Sequence, residues 1–251
     1  MRSAAYTSPM TDLRALAAQL AAAHAGAPLA PPVALRTAAD AYAVQDLVWA
    51  KLRPGQRPAA WKVGGPDDRV EPTAAPLLAV HASPARVRGG EFRMIGVEAE
   101  VAYRFARDVR DEKALAAAIG EIVVAIEICD TRLADHRGAS ELWKLADFQN
   151  NGCLVAGSGR KDWRRIDFSA QDVELKANGK SLVSKARHPY GDPYRLLPWI
   201  VAHVARRTGG LRAGDFVTTG SWGGMHLVEA PCEVTAAFAG IGEARLSIVQ
   251  G

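Results

Sequence analysis

The sequence has few cysteines and no long apolar run, and both absences exclude classes of protein. The cysteines number three among 251 residues, namely Cys129, Cys153 and Cys232, and none forms a Cys-x-x-Cys pair. This dispersed set favours neither a disulfide framework nor a zinc site, and each cysteine has the apolar neighbours of a small buried residue. No apolar stretch is long enough to span a bilayer, and Asp12 and Arg14 break the alanine-rich N-terminus as a signal peptide would not. We therefore expect a reduced, cytoplasmic protein with no membrane partner.

Excess charge of one sign is also lacking. The 31 basic and 27 acidic side chains give a net charge of +4, and the basic residues are scattered apart from a short cluster at 160–165. Nucleic-acid binding needs a dense basic surface, so we expect no nucleic-acid partner. Apolar residues are plentiful at 49% of the chain, which is enough for one large domain or for a domain with a small appendage.

The first informative stretch is 96–103, which alternates as a β-strand does. Glu98 and Glu100 fall together on one face, while the apolar residues between them fall on the other. Two carboxylates at such close range repel each other, and water, a shared proton or a cation must relieve that repulsion. A solvated strand face is the simpler interpretation, and a metal site is the alternative.

A second stretch, 122–129, is almost entirely apolar and carries one carboxylate, Glu127. Such a run is typical of a strand buried on both faces, where an ionised glutamate is costly unless it is paired or bound to a metal. No lysine or arginine lies inside the run, although Arg132 follows shortly. Glu127, together with Glu98 and Glu100, forms a set of hard oxygen donors on two strands, and such a set suits Mg²⁺ or Mn²⁺.

The domain organisation follows from where the helical pattern ends. Two helices are predicted, one over 11–25 with Thr11 as its cap and one over 37–52. They predict an N-terminal helical cap over residues 1–58 and a β-rich catalytic domain over residues 59–251.

The second part of the chain is predicted to consist mainly of short strands. Asn178-Gly179 indicates a hairpin turn, and Pro198 predicts a kink or a later start in a helix over 192–207. The other strands are expected at 61–65, 77–80, 85–88, 216–220, 232–238 and 243–249.

Taken in order, these segments resemble the 2-keto-4-pentenoate hydratase branch of the fumarylacetoacetate hydrolase superfamily, which includes related 2-oxo-3-enedioate decarboxylases. The resemblance covers nearly the whole chain. It is carried by Trp61-Lys62-Val63-Gly64, Val97-Glu98-Ala99-Glu100, Ile126-Glu127-Ile128-Cys129-Asp130-Thr131-Arg132, the segment 147–152 and the segment 211–220. It implies an α+β fold, namely a mixed β-rich roll with the N-terminal helices as a cap, and a homo-oligomer.

The resemblance also implies a site. Glu98, Glu100 and Glu127 correspond to the glutamates that hold Mg²⁺ or Mn²⁺ in that family, and these are the carboxylates singled out above on charge. Lys62 corresponds to the family's lysine at the end of a Lys-x-Gly strand. An acid–base role is implied for it, and steering of a substrate carboxylate is the alternative.

Three further residues are candidates for substrate binding. Gln149 and Asn150 are typical turn formers, and they could instead supply donors to a bound carboxylate or enolate. Ser221 lies in a glycine-rich loop whose backbone N–H groups could face an anionic ligand.

The activity implied by the resemblance is hydration of a 2-hydroxy-2,4-dienoate, such as 2-hydroxypenta-2,4-dienoate, to a 4-hydroxy-2-oxo acid in the catabolism of aromatic-derived compounds. The segments 147–152 and 220–226 depart from the patterns of the best-known hydratases. The alternatives are therefore a 2-oxo-3-enedioate decarboxylase, an acylpyruvate-type C–C hydrolase or an enol–keto tautomerase on the same metal site, and a non-catalytic homologue.

Overall fold

The structure, a computed structural model, describes residues 12–251 and confirms the α+β class. Within those residues, five α-helices accompany thirteen strands. The helices are Leu13–Ala23 (α1), Ala38–Leu52 (α2), Glu112–Ala118 (α3), Glu141–Ala146 (α4) and Leu197–Thr208 (α5). No helix in the described part of the chain is long and apolar enough to cross a membrane.

The strands form two sheets. They are Ala60–Gly64 (β1), Thr73–Pro76 (β2), Val80–Ala82 (β3), Ala85–Arg88 (β4), Gly96–Phe105 (β5), Ile119–Cys129 (β6), Asn151–Arg160 (β7), Val173–Ala177 (β8), Lys180–Ser184 (β9), Phe216–Thr218 (β10), His226–Leu227 (β11), Cys232–Phe238 (β12) and Gly242–Val249 (β13). The larger sheet has the order β2-β1-β10-β5-β6-β7-β3, with β11 also paired to β5. The smaller sheet has the order β4-β13-β12-β8-β9.

The larger sheet is rolled so that its two edge strands approach each other. β2 and β3 lie at opposite ends of the strand order, yet only residues 77–79 connect them. Four residue steps of chain span at most about 14 Å, so the two edges cannot be farther apart than that. The prediction of a strand over 77–80 is therefore wrong. Residues 77–79 cross from one edge of the sheet to the other, between the end of β2 and the start of β3.

The two faces of the larger sheet have different surroundings. On β5, Val97, Val101 and Tyr103 belong to the main core, which they share with residues of the smaller sheet such as Val234. The other face is turned into the roll, where small apolar residues pack together. These are Ala60, Leu77, Ala102, Val123, Ala125 and Leu154. Glu98 and Glu100 alternate onto this inner face, as the sequence pattern predicts for β5.

The N-terminal helices begin close to where the sequence predicts. Thr37 caps α2 in a reciprocal capping box with Asp40. Thr11, the cap expected for α1, lies outside the described residues, and the Asp12 carboxylate accepts the first backbone N–H groups of that helix. Both helices pack with α4 around a separate apolar cluster that includes Leu20 and Trp143. The domain boundary at residue 58 stays a prediction.

Two local predictions later in the chain are confirmed. β8 and β9 form a hairpin around Asn178-Gly179, both in the left-handed conformation that this turn requires. Pro198 lies in the first turn of α5, where its missing N–H breaks no helical hydrogen bond. The helix consequently starts later than Pro193, after one 3₁₀ turn.

The two sheets touch where β7 crosses β13. A Cβ atom on Gly157 would lie 2.1 Å from the carbonyl oxygen of Glu243 and 2.8 Å from the Cα atom of Ala244. Next to this crossing, the Ser158 hydroxyl accepts a hydrogen bond of 2.9 Å from the Glu243 backbone N–H. Only a glycine at position 157 allows the two backbones to approach so closely.

Replacing Gly157 with alanine is therefore expected to destabilise the fold by about 1–3 kcal/mol, because the two sheets must separate to admit the methyl group. Urea denaturation measures this change. Gly64→Ala is the matched control, since the nearest atom to a Cβ there is 4.0 Å away. Equal midpoints for both variants would contradict the close crossing.

Candidate metal centre and active site

Four charged side chains from three strands meet on the inner face of the roll. In the antiparallel register of β5 and β6, Glu98 lies directly opposite Glu127, and Glu100 follows two residues along on the same face. Lys62 comes from β1, which is joined to β5 through β10. The structure thus brings together the four residues that the sequence marks as catalytic or metal-binding.

Lys62 and Glu127 form a buried ion pair. The Lys62 Nζ atom lies 2.7 Å from each carboxylate oxygen of Glu127. Glu127 also accepts a hydrogen bond of 2.9 Å from Asn151 Nδ2. The partner of Glu127 is therefore a lysine 65 residues earlier in the chain, whereas Arg132 pairs with Asp147.

The negative charge in this cluster exceeds what one lysine can balance. Glu100 and Glu127 are fully buried, and Lys62 is nearly so. Burial raises the pKa of Glu100 well above its usual value, and the charges of Glu127 and Glu98 raise it further. Burial likewise raises the pKa of Glu98, although Lys62 opposes this. Burial alone would lower the pKa of Lys62, but the nearby acidic groups, Glu127 first, outweigh it and raise that pKa.

The donor set fits a divalent cation. Oε2 of Glu100 accepts a hydrogen bond from the Thr218 hydroxyl, but the buried Oε1 has no hydrogen-bond partner in residues 12–251. An orphaned carboxylate oxygen inside a protein is costly unless an ion or water occupies it. Ligand atoms of Glu98, Glu127 and Cys129 also lie within 4.8 Å of one another. The residues present are thus the hard oxygen donors that Mg²⁺ and Mn²⁺ prefer, with one sulfur beside them.

A left-handed turn follows α4 and brings the backbone to Lys62. Phe148, Gln149 and Asn150 have φ angles of 54°, 51° and 58°, which are unfavourable for residues with a side chain. The carbonyl oxygen of Gln149 consequently lies 3.3 Å from Lys62 Nζ. The three residues are therefore held in a conformation that their sequence does not favour. This conformation directs the Gln149 carbonyl oxygen toward Lys62.

Buried contacts of Asp147 hold this turn. Its carboxylate accepts a 2.5 Å hydrogen bond from Arg132 Nε and a 2.8 Å bond from the Arg132 backbone N–H. Its carbonyl oxygen accepts a bond from Arg132 Nη2, and the carbonyl oxygen of Asn151 accepts one from Nη1. Arg132 therefore donates hydrogen bonds to both ends of the turn, at Asp147 and Asn151, and the Asp147 carboxylate balances the charge of Arg132.

The three residues expected to bind substrate occupy different settings. Gln149 donates through Nε2 to the Thr73 hydroxyl at 2.6 Å, and its side-chain oxygen is buried without a partner among the described residues. Asn150 also has a buried, unpartnered side-chain oxygen. Ser221 donates to the carbonyl oxygen of Gly224 at 3.1 Å, within its own loop.

The Ser221 loop is fixed to the strand that carries the acidic pair. The backbone N–H of Trp222 donates to the carbonyl oxygen of Ala99 at 2.9 Å, which lies between Glu98 and Glu100. Below the loop, His188 contacts the Trp222 ring and hydrogen-bonds the Thr219 carbonyl oxygen at 2.8 Å. The loop therefore borders the carboxylate cluster.

Two residues of the site are missed by sequence reasoning. Asn151 hydrogen-bonds Glu127, and Thr218 hydrogen-bonds Glu100. Asn151 lies inside the segment 147–152 that carries the family resemblance, which was a usable signal. Thr218 has no such signal, because a threonine in a strand is ordinary and its contact depends on the pairing of β10 with β5.

Comparison with known proteins assigns the family. A family model described as fumarylacetoacetate (FAA) hydrolase C-terminal matches residues 67–249. The chain belongs to the fumarylacetoacetate hydrolase family. Among curated relatives, 2-keto-4-pentenoate hydratase 2 of Dechloromonas aromatica (strain RCB) is 30% identical over 248 residues, covering 91% of this chain and 94% of the relative. A 2-keto-4-pentenoate hydratase of Paraburkholderia phymatum is 32% identical over 162 residues, which is 60% of this chain and only 59% of that relative.

A solved structure of the same fold extends over almost the entire chain. The 4-oxalocrotonate decarboxylase from Pseudomonas putida G7, complexed with magnesium and adipate, superposes with a TM-score of 0.81. The match covers 94% of this chain and 97% of that chain at 18% sequence identity. This likeness concerns the fold alone, and it confirms the β-rich roll with N-terminal helices that the sequence predicts.

The Asp147–Arg132 contact leads to a stability prediction. Asp147→Asn keeps the shape of the side chain but leaves the buried Arg132 with only the Asp130 carboxylate, 3.8 Å away, as a charged partner, so we expect a loss of about 3 kcal/mol. Urea denaturation of the purified variant measures it. Asp162→Asn removes the exposed partner of Arg160 and serves as the control, with an unchanged midpoint expected. A neutral effect of Asp147→Asn would contradict the role of Arg132 in holding the turn.

His188 leads to a prediction about pH. Burial lowers its pKa from an ordinary 6.5 to about 4, so the unfolded chain binds a proton at pH values where the folded chain does not. Its contribution to stability is complete above pH 6.5, falls as the pH drops from 6.5 toward 4, and changes no further below that. The urea midpoint of His188→Gln should therefore fall less steeply over this range than that of the wild type.

Two other histidines set the background of that measurement. Burial lowers the pKa values of His24 and His203 to about 3, so a pH dependence of the same sign persists in the variant. The same comparison above pH 7 is the control, because His188 is neutral there in both states and the two midpoints should run parallel. An identical slope in His188→Gln would mean that His188 is not held neutral in the fold.

Proposed function

We propose that this chain is a divalent-metal-dependent hydratase that adds water to a 2-hydroxy-2,4-dienoate such as 2-hydroxypenta-2,4-dienoate. The observation that carries the proposal is the buried cluster of Glu98, Glu100 and Glu127 with Lys62 on the inner face of the roll. Family membership and the relatives named as 2-keto-4-pentenoate hydratases support the choice of reaction. The product would be a 4-hydroxy-2-oxo acid.

Glu98, Glu100 and Glu127 would hold the cation, Mg²⁺ or Mn²⁺. When bound, such a cation would stabilise the negative charge that develops on the 2-oxygen of a 2-oxo acid. Thr218 fixes one oxygen of Glu100 by its hydrogen bond and leaves the other oxygen free to act as a ligand. Outer contacts of this kind orient metal-binding carboxylates.

Lys62 would act on the substrate as a protonated amine. Its raised pKa keeps the ammonium form at neutral pH, so it can donate hydrogen bonds, but it is a poor base and also a weaker acid than an ordinary lysine. Conversion of the dienol to an enone needs a proton to be delivered to carbon and the 2-hydroxyl proton to leave before water adds. Lys62 would hold the substrate carboxylate, and delivery of the proton is the alternative role, which its raised pKa does not favour.

Gln149, Asn150 and Ser221 would complete the substrate pocket. The unpartnered side-chain oxygens of Gln149 and Asn150 are acceptors, which suit a hydroxyl group or the attacking water better than a carboxylate. The Ser221 hydroxyl could exchange its bond with Gly224 for one with the substrate. A homo-oligomeric, cytoplasmic enzyme remains part of this proposal.

The proposal is tested by following the ultraviolet absorbance of 2-hydroxypenta-2,4-dienoate with added Mg²⁺ and identifying the product. We expect hydration by the wild type and a loss of more than about 100-fold in Glu127→Gln, because a metal ligand and the partner of Lys62 are removed together. Glu121→Gln, on the same strand but in a surface pair with Arg104, is the matched control and should remain active.

Other products in this assay, or turnover of other substrates, would indicate a related reaction instead of hydration. Conversion of the dienol to the keto form without hydration indicates a tautomerase. Release of CO₂ from a 2-oxo-3-enedioate indicates a decarboxylase, and cleavage of an acylpyruvate indicates a C–C hydrolase. Metal binding without turnover of any of these 2-oxo acids indicates a non-catalytic homologue. Each of these results contradicts the hydratase.

A further inference from the structure

We propose that Cys129 is a sulfur donor to the metal centre, so that the site binds a thiophilic divalent cation through a thiolate as well as through Glu98 and Glu127. The inference rests on the proposed function, because it presupposes that the carboxylates hold a metal. It goes beyond that function in the ligand set and in the class of cation that the site selects.

The strand geometry places Cys129 beside the carboxylates. Glu127 and Cys129 are two residues apart on β6 and therefore point to the same face. Cys129 is 4% exposed, and its sulfur and one carboxylate oxygen each of Glu98 and Glu127 lie within 4.8 Å of one another. Metal–sulfur and metal–oxygen bonds of about 2.3 and 2.1 Å bring two donors of one ion to within roughly 4.4 Å. Small side-chain rotations would allow all three to reach one cation.

The residue opposite Cys129 is a glycine, and the Met225 side chain occupies the space that a side chain there would fill. Gly96 is its partner across the strand pair. A Cβ atom on Gly96 would lie 3.2 Å from the Cys129 Cβ atom and 2.4 Å from the Met225 sulfur. The end of the cluster beyond Glu98 is therefore bordered by a thiol and a thioether, whereas Glu100 and Thr218 border the other end.

A second observation shows that this cluster lacks a positive partner. The Glu100 carboxylate is fully buried, and its Oε1 atom has no hydrogen-bond partner in the described part of the chain. Lys62 is committed to Glu127 through both carboxylate oxygens. A cation at the cluster would relieve the repulsion among the carboxylates, and the ligand atoms of Cys129, Glu98 and Glu127 lie within 4.8 Å of one another.

The other cysteines have no such setting. Cys153 pairs with Ile128 on the neighbouring strand and packs in the main core, away from the inner face. Cys232 lies on β12 in the smaller sheet. Cys153 is buried to the same degree as Cys129, at 2% exposed, and so provides a matched control for a thiol without carboxylate neighbours.

Binding through sulfur requires a cation that favours sulfur. The Cys129 S–H bond breaks, a sulfur–metal bond forms, and the proton leaves to solvent. Soft or borderline cations such as Cd²⁺, Zn²⁺ and Co²⁺ support this exchange, whereas Mg²⁺ prefers oxygen and would leave the thiol protonated. The centre should therefore accept hard cations on the carboxylates and hold thiophilic cations more tightly.

The experiment titrates the full-length, metal-free protein with Cd²⁺ and records the ultraviolet thiolate-to-cadmium charge-transfer band. We expect the band in the wild type and in Cys153→Ser, and we expect no band in Cys129→Ser. We also expect the preference for Cd²⁺ over Mn²⁺, measured by displacement of paramagnetic Mn²⁺, to fall by at least about 10-fold in Cys129→Ser. The ¹¹³Cd chemical shift of the wild-type complex reports a sulfur ligand without any substitution.

Two outcomes would overturn the inference alone. If Mn²⁺ and Cd²⁺ bind and Glu127→Gln weakens both, but the wild type gives no charge-transfer band and a ¹¹³Cd shift typical of oxygen ligands, Cys129 is not a donor. A band that survives in Cys129→Ser likewise excludes it. If neither cation binds to the wild type, the proposed metal function fails together with the inference.

Discussion

The buried ion pair between Lys62 and Glu127 is the interaction on which the rest of the site depends. Two charges are removed from water, which is tolerable only with close geometry and further hydrogen bonds. Asn151 donates one of these to Glu127, and the Gln149 carbonyl oxygen accepts one from Lys62. Glu98 and Glu100 bring two more carboxyl groups to the same face. The cluster is consequently a place where a cation lowers the energy of the fold, and this makes it suitable for binding a metal and an anionic substrate.

The turn at 148–150 connects that cluster to the helical part of the chain. The left-handed conformation costs roughly 2–4 kcal/mol for Phe148 and Gln149 together, whereas Asn150 adopts it more readily. The buried contacts between Asp147 and Arg132 offset this cost and also position Asn151 against Glu127. Arg132 thus supports the site from outside it. Arg132 follows Glu127 closely in the sequence and is therefore a candidate for its ion-pair partner. In the fold, Arg132 instead pairs with Asp147 at the turn.

The sequence was informative wherever the signal was local. The alternation around Glu98 and Glu100 and the apolar run around Glu127 predict two strands and the faces of their carboxylates, because side-chain direction in a strand follows from position alone. The partner of Glu127 could not be predicted, since two strands, β10 and β5, lie between the strand of Lys62 and the strand of Glu127 in the sheet. The left-handed turn was also unpredictable, because tertiary contacts of Asp147 override the preferences of Phe148 and its neighbours. The residue type of Cys129 indicated burial correctly, but its neighbours depend on the register of β5 with β6.

The most direct test of the metal centre is a crystal structure of the protein grown with Mn²⁺, with anomalous scattering recorded at the manganese edge. The account predicts one strong anomalous peak on the inner face of the roll, in contact with carboxylate oxygens of Glu98, Glu100 and Glu127. It also predicts that Lys62 remains beside Glu127. An anomalous peak elsewhere would contradict the account. So would the absence of a peak at the carboxylates at saturating Mn²⁺, with the Lys62–Glu127 pair intact.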